Sequence, residues 1–263
     1  MLYHTIIINS RPAAVDAFSP PSGCGVLYEV IRVTDGVFLF LNDHINRLNR
    51  SAQLANVNLV LPVDDARRQL EQLLLQNDMQ TGNIKMEYYF LAGEVKYQSV
   101  YFIPHHYPSD EDYRNGVKTC LFVAERTNPN AKIMQPELRE KVNRIISEKN
   151  LYEAILVHPD GYITEGSRST IFMVKDGTVY TAPEADVLPG ITRKYVLQAC
   201  WELSVPLMET RIAAERLPDM DAIFIAGTSP KVLPIALVDG CSFDSGNATV
   251  LQIMKKYDDL AGL

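Results

Sequence analysis

The chain has 263 residues, 47% of them hydrophobic, so it can bury a substantial core and reads as one large or two smaller domains. Its formal net charge of -7, with no basic run longer than a pair, argues against nucleic-acid binding and against anionic membrane surfaces. No apolar run approaches the roughly 18 residues that span a bilayer, and the first residues lack a signal-peptide layout, so we expect a cytosolic protein.

In the first half of the chain, strand-like and helix-like patterns alternate. Segments rich in β-branched and aromatic residues predict strands at Ile6 to Asn9, Val26 to Val33, Val37 to Leu41, Ile84 to Leu91, Ser99 to Ile103 and Val117 to Val123. Apolar residues at helical spacing predict two helices between them, one through Ile45, Leu48, Ala52 and Ala55 and one through Ala66, Leu70, Leu73 and Leu74. We expect Asn42 or Asp43 to cap the first helix and a residue near Asp64 to cap the second.

The stretch 124–131 is polar and interrupted by proline, which is typical of a connection between domains. It predicts an N-terminal lobe at 1–123 and a C-terminal lobe at 132–263. In the second lobe we expect a helix through Leu138, Val142, Ile145 and Ile146, a last helix from about Asn247 to Leu260, and strands at Glu153 to Val157, Thr170 to Lys175, Thr178 to Thr181 and Ala222 to Ala226. The pattern therefore predicts two α/β lobes.

The cysteines and the paired histidines are the candidates for disulfide bonds or a metal site. The cysteines stand far apart with no Cys-x-x-Cys spacing, at Cys24, Cys120, Cys200 and Cys241. This argues against a disulfide framework and a structural zinc site, so we expect buried or idle thiols. The pair His105-His106 is more typical of a solvated loop than of a metal site, because no further ligands cluster beside it.

One helix start has the composition of an anion site. Pro189 and Gly190 interrupt the chain, and apolar residues then recur at helical spacing, so Ile191 and Thr192 fall in a first helical turn. The unpaired amides and positive dipole end of such a turn favour a phosphate group, with the Thr192 hydroxyl as a further donor. An ordinary turn-to-helix junction would produce the same local pattern.

Five blocks in order carry a family resemblance: Val26-Leu27-Tyr28-Glu29-Val30-Ile31-Arg32-Val33, Asp43-His44-Ile45-Asn46-Arg47-Leu48, Thr164-Glu165-Gly166-Ser167, Leu188-Pro189-Gly190-Ile191-Thr192-Arg193 and Ala226-Gly227-Thr228-Ser229. Together they resemble the fold-type-IV pyridoxal phosphate enzymes, which include branched-chain and D-amino acid aminotransferases and aminodeoxychorismate lyase. The resemblance extends over most of the chain. It implies a two-lobed α/β fold like that of D-amino acid aminotransferase, with pyridoxal 5'-phosphate as cofactor.

The resemblance places the Schiff-base lysine on the stretch that enters the second lobe. Counting back without a gap from the strand before the Thr-Glu-Gly block reaches Lys132, whose neighbours are small or apolar and would favour a neutral amine. Lys141 is the alternative, but it flanks the apolar face of a predicted helix beside Glu140, where a solvated lysine is expected.

The resemblance also implies roles for the remaining blocks. Glu165 would hold the pyridinium nitrogen of the cofactor protonated. Arg47 would pair with the cofactor phosphate, since a guanidinium matches phosphate oxygens bidentately; its rival Arg50 lies outside the motif. Further phosphate-side donors would come from Ile191, Thr192, Thr228 and Ser229. Tyr28 would lie near the cofactor and the substrate carboxylate, although an aromatic residue on a strand is as often part of the core.

The chain departs from the family pattern at three places. The segment from Phe18 to Gly25 lacks the usual Asp-Arg-Gly-like stretch, and Thr170 stands where the family usually has asparagine. The segment from Ile84 to Leu91 replaces the Arg-Pro and Arg-Gly patterns of the two aminotransferase groups. There Lys85, Glu87 and Tyr89 alternate with apolar residues, so one face of the strand is polar and bears substrate groups or faces water.

These features predict an aminotransferase that acts on an amino acid and a 2-oxo acid through a lysine aldimine. A lyase that expels a β-leaving group and forms pyruvate is the alternative, and a non-catalytic scaffold is a third hypothesis. The resemblance further implies a homodimer, for which aromatic surface candidates are Phe38, Phe40, Tyr101 and Phe102. The substrate itself is not identified by these motifs.

Overall fold

A computed structural model describes residues 4–263, which form two compact units. Unit 1 is the chain up to His106 together with Ala131–Met134, and unit 2 is Tyr107–Asn130 together with Gln135–Leu263. Each unit combines a sheet with helices, as the predicted α/β fold requires. In the described part of the chain, no helix is both long and apolar enough to cross a membrane.

Unit 1 is a six-stranded antiparallel sheet with two helices. Its elements are β1 (Thr5–Ile8), β2 (Arg11–Ala14), β3 (Gly25–Thr34), β4 (Val37–Phe38), α1 (Leu41–Leu54), α2 (Val63–Asn77), β5 (Gly82–Leu91) and β6 (Glu94–Ile103). The strand order is β2-β1-β6-β5-β3-β4, so β5 lies between the two long strands that pair with it along most of their length.

The core of unit 1 lies between α1, α2 and one face of this sheet. Leu27 and Ile31 of β3 are fully buried, as are Ile45 and Leu48 of α1. Alternate residues of β3 enter this core while their neighbours face the other side, because successive side chains of a strand point in opposite directions. The two faces of β3 therefore meet different surroundings.

Unit 2 contains the second sheet and four helices. Its elements are α3 (Asp110–Asn115), β7 (Val117–Val123), α4 (Pro136–Lys149), β8 (Glu153–Val157), β9 (Tyr162–Gly166), β10 (Thr170–Lys175), β11 (Thr178–Thr181), α5 (Ile191–Glu202), β12 (Leu207–Glu209), β13 (Ile212–Ala213), β14 (Ala222–Gly227), β15 (Lys231–Val238), β16 (Cys241–Ser242) and α6 (Ala248–Ala261). The strands follow the order β12-β11-β10-β14-β15-β7-β8-β9-β13, with β16 beside β15.

The central strands of unit 2 are buried on both faces. All residues of β8 and of β14 are buried, and β14 and the part of β8 after Glu153 read as continuous apolar runs rather than alternating ones. Such runs are expected when a sheet is covered on both sides. One cluster around Ile155, Ile171 and Ile225 fills one side, and a smaller one around Val142 of α4 fills the other.

Several predicted elements are confirmed, and the predicted caps are wrong. The bounds of β7, β8, β10 and β11 are those predicted. Helix α1 begins at Leu41 after Phe40, whose left-handed backbone (φ 53°) turns the chain from β4 directly into the helix, and Phe40 makes no side-chain cap. Helix α2 begins after Pro62, again without a side-chain cap. The candidate caps Asn42, Asp43 and Asp64 lie inside the first helical turns instead.

Two other expectations differ from the structure. Phe38 and Phe102, proposed as surface residues, are buried in the core of unit 1, where they pack with the sheet and the helices. The predicted division at residues 123 and 132 also differs from the compact units. Strand β7 pairs with β8 and β15 of the second sheet, and Ala131–Met134 belongs to unit 1.

Candidate active site

Lys132 lies on a short segment that pairs with β3 in antiparallel fashion. The amide of Tyr28 donates to the carbonyl of Lys132 at 3.2 Å, and the amide of Met134 donates to the carbonyl of Val26 at 2.9 Å. The amide of Lys132 itself donates to the Ser51 hydroxyl of α1 at 3.1 Å. The backbone of Lys132 is therefore held on two sides within unit 1.

The pairing sets the direction of the Lys132 side chain. Because Leu27 pairs with Ile133, Lys132 stands beside Tyr28 and on the same face of the sheet. Its amine is 4.7 Å from the centroid of the Tyr28 ring, and the amine of Lys85 is 5.3 Å from the same centroid. The structure thus brings together two of the predicted catalytic residues, Lys132 and Tyr28, and adds a second lysine.

Arg47 is buried against an acid on the opposite face of β3. Its Nε and Nη2 atoms donate to the two carboxylate oxygens of Glu29 at 2.8 and 2.7 Å, and Nδ1 of His44 lies 2.8 Å from Oε2 of the same residue. Burial alone would raise the pKa of Glu29, but the charge and hydrogen bonds of Arg47, then of His44, hold it at about 2. The phosphate role of Arg47 stays a prediction, with Glu29 fixing the direction of its guanidinium.

In unit 2, Glu165 lies one residue before the end of β9, as a buried acid between two donors. Nη1 of Arg126 donates to Oε1 at 3.0 Å, and the amide of Leu188 donates to Oε2 at 3.3 Å. The same Nη1 also lies 3.3 Å from the carbonyl of Pro129, so Arg126 ties the segment before Lys132 to Glu165. Glu165 and Arg126 line a cavity of 380 Å³, which makes the acid reachable by a small molecule.

The other predicted blocks of unit 2 converge around the start of β10. Thr170 pairs with Ala226 near the end of β14, and the turn that carries Thr228 and Ser229 follows directly. A Cβ on Gly190 would lie 3.0 Å from the Thr170 hydroxyl, so the start of α5 is also packed here. Three separate motifs therefore meet in one place.

Helix α5 begins at Ile191, which confirms the prediction that Ile191 and Thr192 lie in a first helical turn. Gly190 precedes it and provides no side-chain cap, and both first-turn residues are buried. A helix start of this kind directs backbone amides and positive partial charge toward an anion.

A buried acid that the motifs did not single out holds the Thr-Glu-Gly-Ser loop. Glu153 of β8 accepts hydrogen bonds from the hydroxyls of Ser167 at 3.2 Å and Ser169 at 2.9 Å, and also from the amide of Arg168. Burial raises the pKa of Glu153, and these hydrogen bonds oppose the rise. A Cβ on Gly166 would overlap the Ser169 hydroxyl and lie 2.9 Å from the Glu153 carboxylate, so any other residue there would displace the hydrogen bond between these two side chains.

Sequence reasoning missed the supporting residues Glu29, Arg126 and Glu153. Glu29 and Glu153 are charged residues in largely apolar strands, and Arg126 lies in the connection before Lys132. A charged residue in such a place was the available signal. The partner of each comes from a distant part of the chain, and that pairing is visible only in the structure.

Comparison with known proteins identifies the family of the chain. The family model described as amino-transferase class IV matches residues 26–238. The D-alanine aminotransferase of Bacillus licheniformis is 30% identical over 235 residues, which cover 85% of this chain and 82% of that protein. The chain belongs to the class IV aminotransferase family.

Solved structures share the fold at lower identity. The branched-chain aminotransferase of Thermobaculum terrenum, solved in its PLP form, has a TM-score of 0.84 at 20% identity, covering 98% of this chain and 94% of that one. A protein of Legionella pneumophila, provisionally named 4-amino-4-deoxychorismate lyase, has a TM-score of 0.79 at 20% identity, covering 93% of this chain and 97% of that one. Both matches show a fold-type-IV architecture.

Proposed function

We propose that the protein is a pyridoxal 5'-phosphate-dependent aminotransferase that moves an amino group between an amino acid and a 2-oxo acid. The observation that carries the proposal is the Lys132 amine, held over the Tyr28 ring on a backbone segment fixed to β3 and α1. Membership of the class IV family supports the reaction class. The related structure in PLP form supports the cofactor.

The chemical groups of the candidate site residues match those that such a cofactor requires. An aromatic aldehyde that carries a phosphate and a ring nitrogen calls for an amine, an anion site and an acid. The chain offers the amine of Lys132, the guanidinium of Arg47 and the carboxylate of Glu165. The start of α5 offers an anion site, with the hydroxyls of Thr192, Thr228 and Ser229 as further donors.

Each group then has a definite task. When bound, the cofactor supplies an electron sink for the charge left as the substrate loses its α-proton. Nζ of Lys132 takes that proton as general base and returns it as general acid. The Glu165 carboxylate, aimed by Arg126 and the Leu188 amide, stabilises a proton on the ring nitrogen. The centroid of the Tyr28 ring lies 4.7 Å from the Lys132 amine, and the ring favours the protonated form of this amine through a cation–π contact.

The decisive experiment is labelling of Lys132. Protein incubated with pyridoxal 5'-phosphate and reduced with borohydride should carry the cofactor on Lys132, as read by peptide mass spectrometry. Lys132→Ala should lose the visible absorbance of the bound cofactor and all turnover, because the amine that bonds to the cofactor is removed, while its circular dichroism stays unchanged.

Two matched variants serve as controls. Lys141→Ala removes an exposed lysine of α4, and Lys85→Ala removes the other amine beside Tyr28. Both should still be labelled on Lys132. Covalent trapping that persists in Lys132→Ala would contradict the assignment, and the labelled peptide would identify the lysine that replaces it.

The lyase remains the alternative reaction. The structural match to the Legionella protein concerns the fold alone, whereas the sequence relative named above is an aminotransferase and the matching family model is described as amino-transferase class IV. A lyase would form pyruvate from a substrate with a β-leaving group in the absence of an amino acceptor, whereas an aminotransferase needs the acceptor for continuous turnover. The non-catalytic scaffold is disfavoured by family membership and by the retained amine, acid and anion site.

We further propose that the protein works as a homodimer, with a small amino or oxo acid as its other partner. The family resemblance motivates this assembly, and the exposed apolar side chains of each unit offer surface for it, among them Val60 and Leu75 in unit 1 and Trp201 in unit 2. The paired histidines His105 and His106 are exposed, in agreement with a solvated loop.

A further inference from the structure

The sheet of unit 1 presents a row of polar residues that begins at Lys132. Lys132 stands beside Tyr28, Tyr28 pairs with Glu87 of β5, and Glu87 pairs with Ser99 of β6. Lys85 and Tyr89 flank Glu87 on the same face. We call this surface the polar face and define it by Tyr28, Lys85, Glu87, Tyr89, Tyr97, Ser99 and Tyr101.

Glu87 accepts hydrogen bonds from three hydroxyl groups of the polar face. It is 1% exposed and accepts from the hydroxyls of Tyr89 at 2.8 Å, Tyr101 at 3.0 Å and Ser99 at 3.3 Å. A carboxylate only accepts, and each hydroxyl has a single proton. Those three hydroxyls therefore retain only lone pairs to offer a ligand. Burial raises the pKa of Tyr89 and Tyr101, which keeps both phenols protonated at neutral pH.

Tyr97 supplies an independent observation. Its hydroxyl is buried and makes no hydrogen bond with any residue in the described range 4–263. The ring packs against Tyr89, with centroids 5.5 Å apart, and against Phe18, at 6.3 Å. A buried hydroxyl that lacks a partner is costly and rare in native proteins. This hydroxyl can both donate to and accept from a group that reaches it.

The cation of the polar face is already paired. Lys85 forms an ion pair with Glu87, and its side chain is 19% exposed. A substrate with a second carboxylate would have to share this ammonium with Glu87 and lie beside a buried negative charge. Repulsion between the second carboxylate of the substrate and Glu87 would weaken binding and so disfavour dicarboxylic substrates.

We propose that the polar face selects substrates whose side chain ends in a neutral group that both donates and accepts hydrogen bonds, such as a carboxamide or an alcohol, and disfavours dicarboxylic substrates. The phenol lone pairs accept from such a group, and the Tyr97 hydroxyl donates to it. The inference rests on the proposed function, because it takes Lys132 as the lysine at which the substrate reacts.

The test compares glutamine with glutamate, which differ at the end of the side chain by an amide in place of a carboxylate. With pyruvate as acceptor and each enantiomer tried, we expect kcat/KM for glutamine to exceed that for glutamate by about tenfold to a hundredfold, the range of one hydrogen bond to a charged group. Glu87→Gln brings two N–H donors and frees Lys85. It should shift the ratio toward glutamate by about tenfold or more.

Glu94→Gln is the matched control, because it removes the same charge at an exposed position on β6. Its ratio should equal that of the natural protein. Tyr97→Phe removes only a hydroxyl that makes no hydrogen bond in the described part of the chain, so we expect the variant to fold. It should raise KM for glutamine and leave KM for glutamate nearly unchanged. A Tyr97→Phe protein with raised Tm and unchanged KM would overturn the inference.

The two proposals fail in different ways. If pyridoxal 5'-phosphate does not bond to Lys132, the proposed function and this inference both fall. If Lys132 is labelled but glutamate is preferred, or if Glu87→Gln leaves the ratio unchanged, only the role of the polar face falls.

Discussion

At the scale of single residues, Glu165 shows how a side chain acquires a direction. Two neighbours fix its two oxygens: the guanidinium of Arg126 on Oε1 and the amide of Leu188 on Oε2. A hydrogen bond from a guanidinium to a carboxylate is stronger than one between neutral groups, so Arg126 fixes the orientation of the acid. An acid fixed in this way is suited to stabilise a proton on a nearby ring nitrogen.

We expect Glu165→Gln to keep the cofactor bound but to slow removal of the α-proton by roughly 10² to 10³, because a few kcal/mol of transition-state stabilisation are lost with the charge. Single-turnover kinetics with substrate deuterated at the α-carbon measure this step directly. Glu125→Gln, which changes an exposed acid of the same cavity, should behave as the natural protein. Unchanged turnover of Glu165→Gln at saturating cofactor would remove the assigned role.

At the scale of elements, β3 serves two purposes through its two faces. Tyr28 points toward Lys132 and the polar face, while the next residue, Glu29, points toward α1 and binds Arg47 and His44. The alternation of a strand therefore places the proposed reacting lysine on one side and the support of the predicted phosphate ligand on the other. One strand thus couples helix α1 to the site.

The β3–α1 contact predicts how stability depends on pH. The pKa of Glu29 in the folded protein lies at about 2, below its ordinary value of 4.5. The contribution of Glu29 to the free energy of unfolding is therefore fully present above about pH 4.5 and is lost as the pH falls toward 2. A lowering of this size corresponds to about 3 kcal/mol in the free energy of unfolding. Burial lowers the pKa of His44 from 6.5, so the unfolded chain takes up this proton before the folded protein does. The free energy of unfolding therefore begins to fall below about pH 6.5.

Urea unfolding of the natural protein and of Glu29→Gln between about pH 7 and pH 3 tests this reasoning. The variant should be less stable at neutral pH, and the two proteins should approach each other as the pH falls below about 4.5. Asp65→Asn, which changes an exposed acid of α2, should keep the profile of the natural protein. A constant difference between Glu29→Gln and the natural protein across the range would contradict the assignment.

At the scale of the whole molecule, the two units are assembled from interleaved parts of the chain. Residues 107–130 belong to unit 2, the next four to unit 1, and the remainder to unit 2 again. Lys132 therefore lies on a four-residue segment of unit 1 that is flanked on both sides by residues of unit 2. A proposed catalytic residue in such a crossing depends on the sheet of unit 1 for its position, through the pairing with β3.

Assembly is the prediction that belongs to this scale. Light scattering at micromolar concentration should give the mass of two chains of 29.5 kDa each, because the family resemblance implies a two-fold dimer. Dilution with activity measured in parallel checks whether the dimer is the active form. A single-chain mass in fully active protein would refute the homodimer.

Sequence reasoning succeeded where the signal is local. The strands β7 and β8 were predicted with their observed bounds, because β-branched runs bounded by turn residues are specific. The start of α5 was predicted from Pro189 and Gly190. The caps of α1 and α2 were not, because in each case a residue with no capping side chain, Phe40 or Pro62, sets the entry of the chain into the helix.

The sequence by itself determined the family, the α/β class and the residues to examine, because the order of five motifs and the periodicity of apolar residues are properties of the chain alone. The tertiary structure decided which charges are paired. Glu29 with Arg47, Arg126 with Glu165 and Glu87 with three hydroxyls are contacts that sheet register and helix packing create. Register sets which side chains share a face, and no local pattern of residues records it.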